Sequence, residues 1–112
     1  MVNGFDQRKR AFEAKYQHDE EMIFRVTSRR NHLFGILVAK ELLGLDDDQA
    51  EKYSETVMSS YFASQGETGM LSKIQFDLEK AQIDCSTRRL EKELLTCHDQ
   101  AREEIAREEG IL

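Results

Sequence analysis

The sequence predicts an all-α fold: a four-helix bundle with a flexible N-terminal segment that is partly helical or disordered when free. Three observations predict it. The 112 residues contain no proline and 34% charged residues, which suits helices and argues against a proline-punctuated sandwich or barrel. Apolar residues recur at spacings of three and four in four separate stretches. Glycines and acidic clusters separate those stretches, where helices stop and start.

In the first stretch Ile23, Val26, Leu33 and Leu37 share a face, with Ile36 and Leu43 beside them. Gly44 is placed to end it in a left-handed conformation. "LDDDQAEKY" follows, and Asp46 to Asp48 offer an N-cap oxygen and charge that complements the helix dipole. The second helix then presents Ala50, Tyr53, Val57 and Tyr61. "SQGETG" ends it, with Gly66 and Gly69 as breakers. Leu71, Ile74, Leu78 and Ala81 mark a short third helix. In "IDCST", Asp84 or Ser86 caps the fourth, whose stripe is Leu90, Leu94, Cys97, Ala101 and Ile105, closed by Gly110. Four such stripes bury themselves most simply against one another.

The stretch "FDQRKRAFEAKYQHDEEMIF" does not continue that pattern. Upstream of Ile23 the apolar face meets His18-Asp19-Glu20-Glu21, then resumes as Tyr16, Phe12 and Phe5. Those three rings can lie on one helix face. An isolated helix of that length is marginal in water. The expected division is therefore a mobile segment over residues 1–18 and a bundle over residues 19–112. The segment would order on a partner that supplies a groove. On this reading Phe12→Ala or Tyr16→Ala leaves the melting temperature of the body nearly unchanged. His18 sits at the junction, a candidate hinge and a residue type that titrates near neutrality.

Charge and motifs exclude several function classes. Residues 1–30 carry seven basic and five acidic residues; the remainder carries nine and seventeen. An acidic body binds nucleic acid and anionic membranes poorly. The longest apolar run is four residues, Ile36-Leu37-Val38-Ala39, so no membrane insertion is expected. Cys85 and Cys97 form no disulfide framework and fit a reducing, cytosol-like compartment. No glycine-rich phosphate loop occurs. Cys85, Cys97 and His98 match no common zinc spacing, and Asp46-Asp47-Asp48 lacks the glycine and glutamate of a calcium loop. No metal, cofactor or catalytic residue is expected, and the chain does not read as an enzyme. One polar cluster, Arg29, Arg30 and His32, is a candidate anion or nucleotide site, because Arg suits bidentate phosphate contacts.

"FDQRKRAFEAKYQHDEE" and "RRNHLFGILVAKELLGL" resemble the zeta subunit family, the small inhibitor of the F-type ATP synthase of alphaproteobacteria. The resemblance rests on Phe5-Asp6, Arg8, Arg10 to Lys15, His18-Asp19-Glu20, Arg29-Arg30-Asn31 and Gly35. The chain departs from the family pattern at "GETGML" and at Val26-Thr27-Ser28. The resemblance implies a four-helix body with a mobile inhibitory segment that enters a catalytic interface between alpha and beta subunits of the F1 sector. There it would reach the gamma stalk and block rotation on the cytoplasmic face of the enzyme. The inhibitory residues implied are Phe5, Asp6, Arg8, Arg10, Phe12, Glu13, Lys15 and Tyr16. The alternative readings are a nucleotide-binding bundle and an adaptor protein.

Overall fold

A computed structural model describes residues 4–63 and 65–111, with the side chain of Phe5 outside the described part. The protein is all-helical. Helix α1 spans Gly4–His18, α2 Glu20–Leu37, α3 Asp47–Ala63, α4 Glu67–Lys80 and α5 Thr87–Glu108. A π-helical turn, Val38–Leu42, extends α2.

The ends follow from local chemistry. Asp19 is extended (φ −109°, ψ 105°), and its side chain accepts a hydrogen bond from the Met22 amide at 3.1 Å. Asp46 and Gln49 form a reciprocal capping box, each side chain accepting from the other's amide. Of the two caps offered before α5, Ser86 serves, accepting from the Arg89 amide at 3.1 Å. Gly44 adopts φ +68° beyond the π turn, as the sequence pattern requires. Gly110 (φ +74°) closes α5, with the amides of Gly110 and Ile111 bonding back to Arg107 and Ala106. The same closure ends α4 with Gln82 in the left-handed conformation, φ +60°. Gly69, expected to break a helix, lies inside α4; the break is at Gly66 alone.

Helix α2 is central and packs on α3 and α5. The buried ladder of α2 is Met22, Val26, Arg30 and Phe34, a strict spacing of four that Val38 continues into the π turn. The expected stripe lay one residue away at its start: Ile23 is 37% exposed, and Met22 takes the buried position. The same shift puts Met70 in the core of α4, with Leu71 only half-buried and Ala81 exposed. On α3, Tyr53 and Tyr61 lie at the edge while Ser54 is fully buried. Ser54 donates to the His32 carbonyl at 2.9 Å, and a Cβ at Gly35 would meet the Ser54 Cα at 2.7 Å. The missing side chain at Gly35 is thus what lets α2 and α3 approach. The stripe of α5 is buried as expected at Leu90, Leu94, Cys97, Ala101 and Ile105.

The core has two lobes bridged by half-buried Leu33. The larger contains Phe34, Val38, Val57, Met70, Ile74, Leu78, Leu90 and Leu94. The smaller contains Met22, Val26, Ala101, Ile105 and Ala106, and also Phe12 of α1. The placement of Phe12 departs from the mobile segment that the sequence pattern predicts. The rings of α1 were expected to lack a cover within the chain, yet Phe12 is only 3% exposed. The reason is length. Helix α5 has 22 residues and α4 only 14, so the apolar stripe of α5 outruns its cover and α1 folds onto the remainder.

Candidate functional site

Helix α1 meets the body through one face. Phe12 fills the gap between Met22 and Val26 of α2 and Ala101, Ile105 and Ala106 of α5. Tyr16, one turn later, is half-buried and stacks on Phe12 at 6.4 Å between centroids. The Tyr16 hydroxyl lies 3.4 Å from His98 Nε2, and the two rings meet edge-on.

A rim of charge surrounds the rings. Arg102 lies over the Tyr16 ring at 5.5 Å and pairs with Glu13 at 3.0 Å. Lys15 reaches Glu109 at 3.8 Å. Between α1 and α5 runs a groove of about 240 Å³ lined by Lys9, Phe12, Glu13, Asp99, Arg102 and Glu103. Asp6, Arg8 and Arg10 lie on the exposed part of α1. His18, the last residue of α1, is also exposed. Burial, and then the charges of Arg30 and Arg102, hold the His98 imidazole below its ordinary pKa, so it is neutral at pH 7. This region holds buried polar atoms without a hydrogen-bond partner among the described residues, His98 Nδ1 and Arg102 Nε.

A family model for the ATPase inhibitor subunit zeta matches residues 1–104. The chain belongs to that family. The match takes in α1, the junction at Asp19, the bundle and α5 as far as Glu104, so of the contact just described it includes Phe12, Tyr16, His98 and Arg102 and stops short of Ile105, Ala106 and Glu109. No curated protein and no solved structure gives a match. Inhibitor subunits of this kind are not expected to be catalytic. Among the described residues, no group of His, Cys, Asp and Glu could hold a metal, and no helix is long and apolar enough to cross a membrane.

In this zeta-family chain the cluster Arg29, Arg30 and His32 diverges. Arg29 bonds Glu104 and Glu108 of α5, and those hydrogen bonds raise its already high pKa. Arg30 is buried, donates to Asn31 Oδ1 at 3.1 Å and stacks on Tyr61 at 5.7 Å. His32 pairs with Glu51 of α3 at 3.0 Å. Arg29 and His32 do share the lining of a shallow groove with Phe24, Arg25, Ser28 and Met58. Cys97 is buried, and burial pushes its thiol up to about 11, so it is packing rather than a nucleophile.

The sequence pattern singles out His98 only as a zinc-ligand candidate and does not single out Arg102. Their signal was present but faint. They lie four apart on α5, on a face adjoining Ala101 and Ile105, the same spacing that separates Phe12 from Tyr16 on α1.

Proposed function

We propose that the chain inhibits ATP hydrolysis by the F-type ATP synthase, using the segment of residues 1–18. The segment enters a catalytic interface between the alpha and beta subunits of the F1 sector, reaches the gamma stalk and blocks rotation. The protein acts on the cytoplasmic face of the enzyme, without entering the membrane and without catalysis of its own.

The observation that carries this reading is the zeta-family match, which includes the N-terminal segment. The form of α1 supports it. The helix joins the body through one non-helical residue, Asp19, and touches it with one face, while the basic run Arg8-Lys9-Arg10 is exposed. A partner groove with apolar walls and acidic rims complements that helix. Three rings taken from water would contribute about 6 kcal/mol in total. Phe12 already has a cover, so its transfer to a partner exchanges one apolar wall for another and adds little. Affinity then rests more on the exposed bases and on the body, which raises the local concentration of the segment.

The test is ATP hydrolysis by the matching F1 sector with the intact protein and with residues 1–18 removed. Inhibition by the intact protein alone is expected. Equal inhibition by both removes the role of the segment, and no inhibition by either removes the function.

The nucleotide-binding reading has narrower support, the groove between Arg29 and His32. Its arginines already face Glu104, Glu108 and Glu109. NMR titration with ATP or ADP decides it, and absence of saturable shifts at millimolar ligand removes it.

A further inference from the structure

We propose that α1 docked on α5 is a closed, self-masked state that withholds the segment from its partner, and that Arg102 is the clasp setting the closed fraction. This inference rests on the reading that the segment is the inhibitory element.

Phe12 cannot fill two grooves at once. While it occupies the gap beside Ala101, Ile105 and Ala106, it is 3% exposed and closed to any other protein. Entry into a partner therefore requires that α1 first leave α5, or that the partner capture the fraction that has left. Either way the apparent dissociation constant is the intrinsic one divided by the open fraction.

The junction is built so that α1 can leave without uncapping α2. The Asp19 carbonyl accepts from the Ile23 amide and its side chain accepts from the Met22 amide. The N-terminus of α2 is thus capped from within and does not depend on α1. One extended residue separates the two helices, and rotation there moves α1 as a unit.

Arg102 touches α1 at two residues. It pairs with Glu13 at 3.0 Å and covers the Tyr16 ring at 5.5 Å, so it grips two successive turns of α1. Lys15 and Glu109 add a looser pair at 3.8 Å, and His98 meets the Tyr16 hydroxyl at 3.4 Å. These contacts lie at the rim and are partly solvated, so each is weak and the balance is tunable. In the closed state α5 competes with the target for Phe12 and Tyr16.

The experiment uses the full chain carrying Arg102→Glu, which opposes Glu13 with like charge and removes the cation from Tyr16. A milder companion, Arg102→Gln, guards against a general folding defect, with protection of α3 and α4 amides as the control. Two readouts are taken: amide exchange of residues 5–18 in the free protein, and the concentration giving half-inhibition of F1 hydrolysis. Faster exchange in α1 and a roughly 3- to 10-fold lower half-inhibition concentration are expected. Adding Glu13→Arg to Arg102→Glu restores the pair with reversed sign and should recover α1 protection, read by exchange alone. Unchanged exchange in α1 overturns the clasp. Faster exchange with unchanged or weaker inhibition overturns self-masking. If neither wild type nor variant inhibits, the proposed function fails, while the exchange readout still decides whether the closed state exists.

Discussion

Replacing Phe12 with alanine measures the contact between α1 and the body directly. A buried Phe→Ala change in a fixed core costs about 3–5 kcal/mol, through lost transfer energy and the cavity left behind. Here the cavity need not persist, because α1 can detach at Asp19 and leave α2 capped. The loss is therefore capped by the free energy of docking α1. Burial of Phe12 contributes about 2–3 kcal/mol and half-buried Tyr16 about 1 kcal/mol. The rim pairs add a few tenths of a kcal/mol each. Ordering a helix that is marginal alone offsets part of that sum. The expected loss is about 2 kcal/mol, a fall of roughly 8 °C in melting temperature for a chain of this size. Urea denaturation gives the free energy, and amide exchange shows where it is lost. Residues 5–18 should lose protection while α3 and α4 keep theirs. A variant with unchanged stability and unchanged α1 protection would refute the docking of Phe12.

Three further outcomes are expected. Gly35→Ala should cost about 1–3 kcal/mol by thermal or chemical denaturation, since its Cβ would lie 2.7 Å from the Ser54 Cα and force α2 and α3 apart. Gln82→Gly should stabilise the protein by up to about 1 kcal/mol in the same assay, because Gln82 holds a left-handed φ of +60° that glycine adopts freely. His98 is held neutral by burial first and then by Arg30 and Arg102, with Asp99 and Glu67 opposing and Tyr16 facing it from α1. Its folded pKa lies below the unfolded one, so it costs nothing above the unfolded value near 6.5, and stability falls as pH drops from there through the folded pKa. Between pH 7.5 and 5.5, wild type should therefore lose more stability than His98→Gln, and parallel losses would exclude this residue as the source.

Much of the bundle was legible because its signals are local or strongly periodic. Gly44, Asp46 and Ser86 act through their own backbone neighbours, and the α5 stripe repeats over five positions. The misplacements have a physical pattern. Met22 and Ile23, or Met70 and Leu71, are adjacent apolar residues, and periodicity alone does not say which one faces inward. Arg30 and Ser54 are buried because each finds a partner across or along the helices, and buried Asn31 accepts from Arg30 through Oδ1 while its Nδ2 lacks a partner among the described residues; residue type alone announces none of this. Gly69 falls in the first turn of α4, because Gly66, at φ +63°, already supplies the break. The cover for Phe12 was hidden for a different reason. Every residue of the α5 stripe was visible, but the surplus length of α5 over α4 becomes an open apolar site only once the helices are stacked.

To act on a partner, α1 has to leave its place on α5. Spin labels on Lys9 and Glu103, which line the same groove, report that distance directly, with Cys85 and Cys97 replaced so that only the labelled sites react. A short distance is expected in the free protein, lengthening when the F1 sector is added. The same short distance in the free and bound states, with hydrolysis inhibited, would contradict it.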